Sequence, residues 1–154
     1  MKCQSWFAFL LGCKIQDFQF NAECYHMCER FGLDSMSTGN VIAFAIDLYE
    51  KEILTKEDTE GLHLEYGNAE LAFTLIGKIA RREGIGDLLS KGVYEASHII
   101  GKGAEEYAYH VKKLEVLPWN LWMPYYAFCT AINEKGDMTR MEAAIPQHYF
   151  HKPV

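Results

Sequence analysis

The stretch C-E-R-F-G-L-D-S-M-S-T-G-N, residues 28–40, decides how the rest of the chain is read. A helical pattern arrives from its N-terminal side and stops at Gly32. Leu33 then supplies one apolar anchor, and Asp34 and Ser35 offer oxygen ligands. Ser37-Thr38-Gly39-Asn40 is a cap-like run that opens a second helix. A glycine lets backbone come close to a ligand, and the polar residues after it stand beside a free helix N-terminus. The corner therefore suits a polar, anionic cofactor. It suits a plain helix–turn–helix corner equally well.

Working outward, Asp17 caps a helix over Phe18–Phe31, in which Phe20, Cys24, Met27 and Phe31 recur at helical spacing and form the expected buried face. The following helix spans about 38–52, with Val41, Ile42, Ala45, Ile46, Leu48 and Tyr49 as its apolar stripe and Asp47, Glu50 and Lys51 facing water. Thr55 bonds towards Asp58 in a capped single turn. Residues 62–66 alternate as a short extended piece. Asn68 caps the clearest helix, whose face is Leu71, Ala72, Leu75, Ile76, Ile79 and Ala80 and which Gly84 ends. Gly86 and Asp87 restart a helix running to Ile100, with Gly92 a weak point inside it. Gly101 and Gly103 break the chain again before a short helix over 104–109.

At the two ends the reading is coarser. Residues 3–13 form a buried strand or helix. Residues 114–124 carry two prolines and two tryptophans and are expected to be extended, with one more helix over 125–132 and a Gly136-Asp137 turn. The fold expected is all-α: one multi-helix domain over 1–154 with one or two short extended segments. Its length allows a single domain with a real core, and 49% hydrophobic and 14% aromatic residues exclude disorder. A formal net charge of −6, with no basic cluster denser than Arg81-Arg82 or Lys112-Lys113, argues against a nucleic-acid or anionic-membrane binder. The expected partners are small molecules and other protein surfaces. No stretch reaches membrane-helix length, and the apolar run at Trp6–Leu11 is too short for a clear signal peptide, so a soluble cytoplasmic protein is expected.

Five cysteines make an odd count without a framework and fit reduced thiols. Cys13, Cys24 and Cys28 read as buried and inert rather than as metal ligands. His148 and His151, with Cys129, lack the further ligands of a zinc site and read as a surface tail. His110 reads as a packed, hydrogen-bonded histidine. Trp119, Trp122, Tyr125 and Tyr126 read as core, or as a surface that another domain covers.

E-R-F-G-L-D-S followed by M-S-T-G-N-V-I-A-F-A-I-D-L-Y-E-K resembles a segment of the aldehyde ferredoxin oxidoreductase family. The likeness continues through I-L-T-K-E-D at 53–58, R-E-G-I-G-D-L-L at 82–89 and G-K-G-A-E-E-Y-A-Y-H-V-K at 101–112. It is clearest over 12–115 and divergent over 116–154. Members oxidise aldehydes to carboxylates at tungsten or molybdenum held by two pterins, and a 4Fe-4S cluster passes electrons to ferredoxin. The resemblance implies that Glu29, Gly32, Leu33, Asp34 and Ser35 are the cofactor-binding residues at one pterin, with Glu29 where the family usually has Asp. The family's C-x-x-C-x-x-x-C group, its second pterin motif and its catalytic glutamate and histidine have no counterpart here. The chain is thus expected to be a fragment or subdomain that needs a complementary oxidoreductase chain, is inactive alone, and holds no catalytic or metal-ligating residue of its own. The alternative is a non-catalytic helical scaffold that docks a partner through residues 119–126.

Overall fold

The structure is a computed structural model, described here over residues 8–115, all within the unit Met1–Pro118. A π-helical turn, Ala8–Gly12, leads into α1 (Phe18–Phe31), α2 (Ser35–Glu50), α3 (Ala69–Arg81), α4 (Ile85–Leu89) and α5 (Gly92–Ile100). A 3-10 turn, Ala104–Tyr107, and an antiparallel hairpin of β1 (His110–Val111) and β2 (Leu114–Glu115) follow. The described residues are mostly helical with one two-stranded sheet, as the all-α expectation had it. The expectations for 116–154, including Cys129, His148, His151 and the aromatic stripe, fall outside the described residues.

α1 begins where Asp17 accepts the Phe20 N–H at 3.0 Å. Its buried face is Asn21, Cys24 and Cys28, not the face centred on the phenylalanines. Phe20 and Phe31 stay 39% and 45% exposed. The helix is turned this way because the Asn21 amide donates to the carbonyls of Ile15 and Asp17, which draws a polar side chain inside. Small thiols then pack beside it, and Phe20 sits at the boundary with its ring 6.0 Å from that of Phe73.

α2 is the central helix. Val41, Ile42, Phe44, Ala45, Ile46 and Leu48 are all buried, so neighbours cover more than a single stripe. At Gly39 an added Cβ would lie 2.5 Å from the Cβ of Ala8, so only glycine lets the entry turn lie on the helix. In α3, Asn68 accepts the Leu71 N–H at 2.9 Å, and Leu71, Ala72, Leu75, Ile76 and Ile79 face the core. Two boundaries differ from the sequence reading. α3 ends at Arg81, with Arg82 itself in the left-handed region, so Gly84 starts α4 rather than ending α3. Gly92, at φ 82°, divides the expected helix over 86–100 into α4 and α5, since a residue at positive φ does not continue a right-handed helix.

The loop between α2 and α3 follows its sequence closely. Asp58 accepts both the Thr55 N–H and the Thr55 hydroxyl at 2.9 Å. Leu62, Leu64 and Tyr66 turn inward between exposed neighbours, in an extended run that pairs with no strand among the described residues.

Candidate functional site at the corner of α1 and α2

Gly32 stops α1 in the left-handed conformation, φ 69° and ψ 27°. Its N–H donates to the carbonyl of Glu29 at 3.2 Å, and the Leu33 N–H donates to that of Cys28 at 2.9 Å, so the last turn closes on itself. Leu33 packs half-buried against the core. Asp34 is already extended and caps α2: its Oδ1 accepts the Ser37 N–H at 2.7 Å. α2 therefore starts at Ser35, and the run Ser37–Asn40 lies inside it instead of capping it. Asp34 is the cap because the closure of α1 leaves it in the extended geometry a cap requires.

The five residues singled out from the sequence share this corner but not one environment. Glu29, Gly32 and Asp34 are exposed, Leu33 is half-buried, and Ser35 is only 4% exposed. Around Gly32 no heavy atom lies within 4 Å of where a Cβ would stand, which leaves the turn open to close approach. Glu29 has no ion-pair partner among the described residues. A carboxylate in the last turn of a helix also works against the helix dipole, so α1 gains nothing from it. The surface is thus a glycine-floored turn flanked by two carboxylates, an acceptor array for a ligand rich in N–H groups. A separate groove of about 750 Å³, lined by Tyr49, Thr55, His63 and Glu65 among others, opens at the far end of α2, away from this corner.

Beneath the corner lie Cys13, Cys24 and Cys28, buried free thiols as expected. Burial pushes Cys24 and Cys28 up to about 12, and in Cys28 a hydrogen bond with Thr38 partly offsets it. Burial also raises Cys13, helped by its two thiol neighbours. Among the described residues no group of three or more ligating side chains is poised for a metal. His110 is packed, edge-on to Tyr94 at 4.9 Å, but its Nδ1 is buried without a hydrogen-bond partner among the described residues.

Sequence reasoning missed one residue that bears on the corner, Glu115. The Ser37 hydroxyl donates to Glu115 at 2.8 Å, and the other oxygen of Glu115 accepts the Val93 N–H at 3.0 Å. The pair is 78 residues apart, beyond any local pattern.

The protein-family model described as "Aldehyde ferredoxin oxidoreductase, domains 2 & 3" matches residues 4–148. The chain belongs to the aldehyde ferredoxin oxidoreductase family. Among its relatives, the tungsten-containing aldehyde ferredoxin oxidoreductase of Thermococcus kodakarensis is 39% identical over 103 residues, 66% of this chain and 17% of that protein. The WOR-like subunit of the aliphatic sulfonate oxidoreductase of Pyrococcus furiosus is 40% identical over 95 residues, 59% of this chain and 15% of that protein. A solved structure, the active site complex BamBC of benzoyl coenzyme A reductase with 1,5 dienoyl-CoA, matches 92% of this chain and 22% of its own. Its TM-score is 0.80 and its identity 39%. The chain thus spans about a sixth of the curated relatives it matches.

Proposed function

We propose that this chain is a pterin-gripping helical portion of a tungsten- or molybdenum-dependent oxidoreductase that converts aldehydes to carboxylates. The observation that carries this reading is the open corner: a left-handed Gly32 with empty space before it, between the exposed carboxylates of Glu29 and Asp34. A pterin edge is rich in N–H donors, and the residues present fit it. Glu29 and Asp34 accept from those donors, Gly32 admits the ring close to backbone, and Leu33 and Ser35 anchor the turn to the core so that the acceptors do not drift. When bound, the metal–pterin group would supply the two-electron oxidation of an aldehyde to its carboxylate, with water as the oxygen source, and the electrons would leave singly through an iron–sulfur cluster to ferredoxin.

The described residues hold no group of three or more ligating side chains that would form the donor set for that cluster. Further polypeptide provides it, along with the second pterin contact and the proton-transferring groups, so this chain alone does not turn over. Relatives named as a subunit and as a two-component complex support assembly with a complementary oxidoreductase chain. Free thiols suit the reducing cytoplasm, and no helix among the described residues is long and apolar enough to cross a membrane.

Anaerobic expression with tungstate, alone and beside a complementing family polypeptide, tests the proposal. Tungsten or molybdenum and a fluorescent oxidised pterin should copurify with the complemented protein, and aldehyde oxidation should be absent from the chain alone. Complemented protein free of both metal and pterin would sink the reading, and turnover by the chain alone would refute the assignment of electron exit to other polypeptide.

A further inference from the structure

The hairpin that closes the described chain is short, and its first strand and turn pack on Tyr94 through His110 and Lys113. Its strands are two residues each, and its turn places Lys112 and Lys113 at φ 53° and 72°, a region where lysine is strained and glycine or asparagine is usual. A ladder this short does not persist alone. Glu115 on β2 holds it in place. One carboxylate oxygen accepts from the Ser37 hydroxyl in the first turn of α2, and the other accepts the Val93 N–H at the start of α5. Lys91, the N-cap of α5, makes no side-chain capping bond, so Glu115 serves that helix from a distance. An added Cβ at Gly92 would come within 2.7 Å of Glu115 Oε1, which shows how closely the carboxylate is drawn against the start of α5.

Ser37 is also the residue whose N–H Asp34 holds at 2.7 Å. It is therefore pinned twice, by Asp34 through its backbone and by Glu115 through its hydroxyl. We propose that Glu115 is a positioning residue for the corner: by fixing Ser37 it fixes the Asp34 carboxylate, and it ties that geometry to α5 and the hairpin. The proposal rests on the reading of the corner as a pterin grip.

Residue-resolved amide hydrogen exchange tests the coupling without any cofactor. In E115A the amides of both Val93 and Ser37 should exchange at least about tenfold faster while those of α3 are unchanged. E115Q should stay within about threefold of wild type, because its oxygen still accepts from Val93 and its amide still reaches the Ser37 hydroxyl. In the complemented protein pterin retention should fall in E115A and recover in E115Q. Faster exchange at Val93 with Ser37 unchanged would overturn the proposal, since Glu115 would then only cap α5. If E115A loosens α3 as well, E115D decides. Its carboxylate is one methylene too short to span both donors, so Ser37 should exchange faster with α3 intact, and an unchanged Ser37 overturns the proposal. A wild type without pterin would sink the function proposed for the corner and leave the measured coupling standing.

Discussion

Replacing Asp34 by asparagine separates the two tasks the corner assigns to one side chain. Its Oδ1 caps α2 through the Ser37 N–H at 2.7 Å, and its charge faces solvent beside Gly32, where the pterin is expected. Asparagine caps about as well as aspartate but gives up the attraction of a negative charge to the helix dipole, about 0.3–1 kcal/mol. At roughly 4 °C per kcal/mol for a chain of this size, D34N should melt about 1–4 °C lower than wild type. D34A also loses the cap itself, about 1 kcal/mol more, and should melt about 5–8 °C lower. Retention of pterin follows a different order. A hydrogen bond to a charged group contributes about 1.5–3 kcal/mol, so both variants should hold pterin at least about tenfold more weakly. The assay pairs thermal melts with pterin fluorescence per mole of anaerobically purified, complemented protein. D34N that keeps wild-type pterin content would refute the argument and leave Asp34 as a helix cap and nothing more.

Two further outcomes follow from packing and burial. Gly86→Ala places a methyl against the backbone of Lys78 and Ile79, which cannot swing aside, and should destabilise by about 2–3 kcal/mol. Gly77→Ala meets only the flexible guanidinium of Arg81 and should stabilise by about 0.5–1 kcal/mol, so the two urea midpoints should fall on opposite sides of wild type. Cys24 and Cys28, pushed up to about 12, keep their protons longer folded than unfolded. The stability they contribute is therefore complete below the ordinary thiol value of about 9 and declines as pH rises from there towards 12. Peptide mapping should find both unalkylated by iodoacetamide at pH 8 in native buffer and modified once urea unfolds the chain. Native labelling would refute their burial.

What could be read without coordinates was whatever a single turn of chain carries. Asp17 and Asn68 announce α1 and α3 because a cap and the N–H it accepts lie three residues apart. Gly32 announces the end of α1 because a left-handed residue is needed at that one position. The Thr55–Asp58 turn is local in the same sense. Blocks of family-like sequence raised the corner to a candidate pterin site, which chemistry alone left balanced against a plain turn.

Orientation and coupling were not legible in this way. Periodicity placed Phe20 and Phe31 on the inner face of α1, yet Asn21 takes that side because Ile15 and Asp17 happen to present carbonyls to it. The cap of α2 was expected in the run from Ser37 to Asn40, yet Asp34 takes that place because the closing turn of α1 leaves its backbone extended. Glu115 carried no signal at all, since its partners Ser37 and Val93 become neighbours only when α2, α5 and the hairpin meet. A sequence specifies the bonds a residue makes within its own turn. Which distant donor a carboxylate finds is decided by how whole helices pack.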